Sequence, residues 1–200
     1  MDKKYELTTD TIIHFGKKLF RIKALISFGN VEVGELGGYV ESEKNLSQDG
    51  DAWVYGNARV YGDAEVYGNA RVCGNAEVCG NARVYGNAWV YGNARVYGNA
   101  RVCGDAEVCG NARVCGNADY VCTKGLGSCW RNTTFFKCKN GGIGVVCGCF
   151  KGNLDEFTEK VKSTHGDSKY AKEYLAMVDV IKIHFEKEDK DDTDDDKRGV

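Results

Sequence analysis

Ten cysteines and three histidines carry the most reactive side chains of this 200-residue chain. Cys147-Gly148-Cys149, with His165 downstream, has the composition of a thiol nucleophile and its base. Cys129, Cys138, Cys147, Cys149 and His165 together also have the composition of a metal site. Neither spacing has the paired Cys-x-x-Cys units of a strong zinc pattern. Strand residues two apart point the same way, so Cys147 and Cys149 are expected to face the interior together as buried thiols. His165, in Thr-His-Gly-Asp, reads as a turn residue between helices. No catalytic residue, metal or cofactor is therefore assigned.

The other five clustered cysteines belong to a repeat. From Gly50 the chain runs GDAWVY, GNARVY, GDAEVY, GNARVC and onward through eleven unbroken hexads, residues 50–115, followed by GNADYV. Valine recurs every sixth residue from Val54 to Val114 and alanine from Ala52 to Ala118. Ala and Val sit two apart, so a strand buries both and sends outward the residue between them and the residue after Val. Gly followed by Asn or Asp then turns the chain, because both tolerate left-handed backbone conformations. A helix is excluded: a glycine every six residues costs roughly 1 kcal/mol each, and period six matches no helical face.

The V-Y-G-N-A-R frame resembles the hexapeptide repeat of left-handed β-helix proteins. That resemblance implies three hexads per coil of a triangular prism, wound with a left hand, in about four coils. The flanks ELGGYVESEKNLSQDGDAWVYGNARVYG and CGCFKGNLDEFTEKVKSTHGD resemble a bacterial and phage branch whose members are often labelled transferases on the repeat alone. The wider family contains acyltransferases, which place a catalytic histidine on the coil, with a loop extruded from a corner and acyl-CoA between subunits. Residues 50–118 hold no histidine and no insertion; His14, His165 and His184 all lie in the flanks. The family's general base has no matching position here. Ice binding would want threonine ladders, and the repeats contain no threonine.

The expected fold is mainly β. An N-terminal β cover (1–49) precedes the parallel β-helix (50–118). A C-terminal hairpin and two-helix cover (119–185) and an acidic disordered tail (186–200) follow. TIIHFGKKLFRIKALISF reads as two strands around Gly16-Lys17, placed on the first coil's open end. TTFFKCKNGGIGVVCGCF reads as a hairpin turning at Asn140-Gly141-Gly142. Leu154, Phe157 and Val161 form one helical stripe, and Tyr170, Tyr174, Met177, Val178, Ile181 and Phe185 a second.

With eighteen residues per coil, residues i and i+18 stack. The pre-valine columns are Trp53–Arg71–Trp89–Glu107, Arg59–Glu77–Arg95–Arg113 and Glu65–Arg83–Arg101–Asp119. Most neighbours are complementary. Arg83/Arg101 and Arg95/Arg113 are the exceptions, with Tyr85 and Tyr97 alongside, and are candidates for an anionic ligand such as a nucleotide or phosphate. The plainer alternative is that long arginines splay while the tyrosines cover their stems. The post-valine columns hold Tyr55, Tyr61, Tyr67 and Tyr91, which with Trp53 and Trp89 are expected to form an exposed interaction surface. Cysteines on one wall lie two coils apart, about 9.6 Å, beyond the ~7 Å reach of a disulfide. The repeat cysteines are expected to be free.

Charge is nearly balanced, 27 Lys+Arg against 29 Asp+Glu, which argues against a nucleic-acid or membrane-surface protein. No apolar run reaches ~18 residues and no signal peptide opens the chain, which reads as cytoplasmic. The expected function is a non-catalytic binding scaffold acting through Tyr/Arg/Trp-laddered faces. The resemblance implies a phage or mobile-element accessory protein that blocks or sequesters a host factor, and a homo-oligomer, trimer or dimer. The rivals are an acyl-CoA-dependent acyltransferase-like enzyme and a sponge for a small anionic ligand.

Overall fold

The computed structural model describes residues 3–186. Each hexad contributes one two-residue strand: β4 Trp53–Val54, β5 Arg59–Val60, β6 Glu65–Val66, β7 Arg71–Val72, β8 Glu77–Val78 and β9 Arg83–Val84, then β10 Trp89–Val90, β11 Arg95–Val96, β12 Arg101–Val102, β13 Glu107–Val108 and β14 Arg113–Val114. They stack in parallel as three walls, β4-β7-β10-β13, β5-β8-β11-β14 and β6-β9-β12. The register is eighteen residues, pairing Val54 with Val72, Val60 with Val78 and Val66 with Val84. The result is a β-solenoid of about four turns.

Every repeat valine from Val54 to Val114, and every alanine from Ala52 to Ala112, is at most 1% exposed. Burying each valine contributes ~1.5–3 kcal/mol. The corner glycines from Gly50 to Gly110 have φ between +60° and +72°, where a side chain costs ~1–2 kcal/mol. The asparagines beside them form ladders of their own: Asn69 donates to Asn87 (3.1 Å) and Asn87 to Asp105 (2.9 Å), with Asn75–Asn93 and Asn81–Asn99 on the other corners.

A parallel stack has two chemically different ends. Each coil donates its N–H groups to carbonyls of the coil that follows, as Trp53 does to Ala70 (3.0 Å). The first coil is therefore left with spare carbonyls and the last with spare N–H groups, which must find partners when buried. At the carbonyl end, the Lys4 ammonium donates to Gly50 and Ala52 (3.2 and 3.0 Å), and the Asn45 amide donates to Gly62 and Ala64 (both 2.9 Å). At the N–H end the caps of the spare N–H groups are side-chain acceptors. Asn117 Oδ1 takes Arg101 N–H (2.9 Å), Thr134 Oγ1 takes Glu107 N–H (3.1 Å), and Asp119 Oδ2 takes the N–H groups of Cys115 and Gly116 (both 2.8 Å).

The stack begins before the hexads do. β3, Leu36–Val40, sets Val40 over Val60, and Leu46 bridges to Val66, so residues after 35 already belong to the solenoid. β1, Tyr5–His14, and β2, Lys17–Ala24, form the expected hairpin and extend the β5 wall antiparallel through β3. Only half of the hairpin closes the open end: Tyr5, Ile22 and Ala24 join the solenoid core. The other half hangs over the outside of the wall, where Leu19 is buried against Tyr39 and Tyr61.

At the far end the frame slips by one residue, Tyr120 standing where valine is due. The chain leaves the stack through a 3-10 turn, Asn117–Asp119. Four antiparallel strands follow: β15 Tyr120–Leu126, β16 Arg131–Lys137, β17 Ile143–Cys147 and β18 Phe150–Asn153. The expected hairpin is the central pair; the outer two lack clean apolar alternation and were not foreseen. Alternation across β16 and β17 divides the sheet's work. Phe136 and Val146 plug the solenoid, while Phe135 and Val145 face helices α1, Leu154–His165, and α2, Lys169–Phe185. The helical stripes are buried as expected, except that Phe185 is only partly buried and Tyr170 is 39% exposed. Apart from Glu186, the acidic segment 186–200 lies outside the described residues. No helix among the described residues is long and apolar enough to cross a membrane.

Candidate functional site

The wall columns were expected to be bare, and two aromatics are not. Trp53 is fully buried, its ring 6.0 Å from Tyr5 and 5.3 Å from Phe28. Tyr61 is 7% exposed beneath the hairpin. Both were assigned to an interaction surface and neither is available for one. The N-terminal cover occupies the outside of the first coil and packs over both rings.

The hairpin also consumes one of the two arginine pairs. Glu77, buried beneath it, lies 3.2 Å from Arg59, 2.8 Å from Arg95 and 3.1 Å from His14. Arg95 is thus neutralised within the wall. Arg113, its register neighbour, donates to the carbonyls of Ala112 (2.8 Å) and Asn93 (3.1 Å). Tyr97 stands half-buried on the same wall. His14 is brought onto the β5-β8-β11 wall and held there by Glu77 and by edge contact with Tyr61 at 5.4 Å, while His184 reaches only the Ala118 carbonyl at the end of the stack (3.0 Å). That contact docks the hairpin tip and gives no separate support for acyl transfer.

The second pair is different. Arg83 pairs with Glu65 (3.2 Å), while Arg101, adjacent in register, has no carboxylate partner among the described residues. Tyr67 and Tyr85 stack beside them with centroids 4.9 Å apart and planes within 3°. Asp119, expected to end this column, instead turns inward to cap N–H groups. Below Tyr85 and Arg101 opens a groove of about 520 Å³, lined also by Asn117, Tyr120, Lys124 and Asn132. The periodic columns do not reach these cover residues; the slip that puts Tyr120 where valine is due is the signal for them in the sequence. Lys124 is paired with Asp105 (3.2 Å), so Arg101 is the uncompensated cation of the groove.

On the β4 wall, Trp89 is 38% exposed and its indole N–H donates to Cys73 Sγ (3.1 Å). Its ring lies 4.5 Å from Tyr91. Tyr91 donates to Glu107 (3.1 Å) and is crossed by the Lys151 ammonium at 4.6 Å. Tyr55 is half-buried against the core.

The thiols of the C-terminal cover do converge in part. Cys129, Cys147, Cys149, Arg131, His165 and Tyr174 line one groove of about 260 Å³. Cys149 is exposed in the turn after β17, so it does not point inward with Cys147 as expected. The short β17–β18 connection ends the strand alternation. Cys147 accepts from Thr133 (3.2 Å), and His165 stacks on Tyr174 at 5.8 Å. Burial pushes the Tyr174 hydroxyl up to about 12. Among the described residues no group of three or more His, Cys, Asp or Glu is placed to hold a metal ion. All ten cysteines are free.

Residues 52–67, 76–92, 88–104 and 94–110 match a family model described as the YdcK beta solenoid repeat. No curated protein matches the chain. The matched segments fall on the three-walled stack itself, and together they make this chain a β-solenoid repeat protein.

Proposed function

We propose that the protein is a non-catalytic binding scaffold that engages a macromolecular partner through the β6-β9-β12 wall. The observation that carries this reading is the Tyr67–Tyr85 stack beside Arg83 and Arg101, on a wall that the hairpin leaves open. Aromatic rings and arginine are the side chains that interfaces enrich, because they bury large area at low entropic cost. In the mobile-element setting implied by the sequence resemblance, the partner is a host factor that the scaffold blocks or sequesters. A second copy of the chain is the alternative partner, giving the dimer or trimer that the resemblance implies.

The test compares wild type with Tyr67→Ala/Tyr85→Ala in quantitative capture from cell extract and in sedimentation. Loss of one captured species, or of self-association, at an unchanged melting temperature supports the wall. Equal capture and equal sedimentation by both proteins sink it.

The groove below Arg101 favours a second reading, a small anionic ligand such as a nucleotide. Stabilisation by ATP that disappears in Arg101→Ala supports it; stabilisation that persists in the variant, or none at all in wild type, removes it.

A further inference from the structure

A second cavity lies away from that wall, where the last coil meets the C-terminal sheet. It measures about 540 Å³, inside the ~300–1,000 Å³ range of small-molecule sites. Its floor is apolar, built from Phe136 and the thiols of Cys109 and Cys138, with Gly142 and Gly144 beside them. Burial pushes both thiols up, so they remain protonated and serve the floor as small apolar groups.

The rim has one sign of charge. Lys139 and Lys151 line the cavity, and the remaining polar lining residues are asparagines. Neither lysine has a carboxylate partner among the described residues. Lys151 rests over the Tyr91 ring and is close enough to be felt at the Cys109 thiol, so its charge sits at the mouth of the apolar floor. Lys139 is fixed at its backbone by the bond from its N–H to Asn111 (3.0 Å), which ties the turn at residues 138–142 to the last coil.

We propose that this junction cavity binds a small organic anion, an apolar body carrying one carboxylate or phosphate, with the body on the Phe136–Cys109–Cys138 floor and the acid between Lys139 and Lys151. An apolar concavity with few, convergent polar groups is the usual form of such a site; Glu107, held by Tyr91, and Glu156, held by Asn153 N–H, lie nearby, but neither pairs with Lys139 or Lys151, whose free charges favour an anionic ligand. The site is independent of the partner-binding wall.

Three probes with one apolar body and different heads test it: octanoate, octanol and octylamine, followed by amide chemical shifts of the full chain. Octanoate is expected to give saturable shifts at Gly110, Ile143, Gly144 and Val145, and to bind more tightly than the other two. Lys139→Ala/Lys151→Ala is expected to weaken octanoate by about tenfold or more, the loss expected for charge-assisted contacts. Both lysines are exposed, so the variant is expected to keep the wild-type melting temperature. Octylamine or octanol binding as tightly as octanoate overturns the proposal. So do shifts confined to other residues, no saturable shift up to about 10 mM, or undiminished affinity in the folded double variant.

Discussion

Asn45 shows what the carbonyl end of a parallel stack asks of a side chain. It is fully buried, donates to two carbonyls of the first coil and accepts from Ser42 N–H (2.9 Å). Asn45→Ala leaves those groups unpaired in the interior and is expected to cost ~2–3 kcal/mol, read as a lower denaturant midpoint at unchanged slope. Asp119 does the converse work at the N–H end. Burial alone would raise its pKa, but Lys137 and the N–H groups of Cys115 and Gly116 outweigh it and hold the carboxyl below the 3.8 of an unperturbed aspartate. A depressed pKa means the stabilisation is complete above the unfolded value and is lost as pH falls through the folded one. The wild type is thus expected to lose stability as pH falls below about 4, and Asp119→Asn to flatten that acid limb. Denaturant midpoints from pH 7 downward measure both; parallel curves would refute the assignment.

At the scale of the element, one hexad is a two-residue strand and a glycine corner, and corners differ in what lies beneath them. Gly98 and Gly104 share a left-handed φ (+63° and +66°), but an added Cβ at Gly98 would come within 2.6 Å of the Cys115 carbonyl, whereas Gly104 faces open space. Gly104→Ala is expected to cost the ~1–2 kcal/mol of backbone strain alone. Gly98→Ala should cost clearly more, since the coil below must shift. Thermal unfolding of the pair checks the order, and equal losses would mean the stack is softer than its register suggests. The covers were less legible than the hexads for the same reason that they are covers. Tyr120–Leu126 and Phe150–Asn153 become strands because β16 and β17 offer edges to pair with, and their own sequences alternate too weakly to announce it. The period assigns Trp53 and Tyr61 to the outward side, yet nothing local says that Tyr5, Phe28 and Leu19 arrive from the N-terminus to bury them.

For the whole molecule, stability is distributed along the stack, because each coil touches only its neighbours. Deleting residues 86–103, one eighteen-residue coil, keeps every wall in register and both ends capped. That variant is expected to fold cooperatively with a lower melting temperature. Deleting 86–88 alone puts later valines on the wrong side of the wall and is expected to abolish the cooperative transition. Circular dichroism on heating separates the outcomes. The eleven hexads by themselves determined the short strands, their corners and the buried Ala-Val side, because a strict period repeats one local geometry; three hexads to a coil, and with it the spacing that keeps the thiols apart, is what the resemblance implied. Only the tertiary structure decided which walls stay open, since that depends on segments with no period of their own. The hairpin neutralises Arg95 through Glu77 and His14, while Arg101 keeps an unpaired charge. The junction cavity exists only where the last coil and the C-terminal sheet fail to fill the space between them.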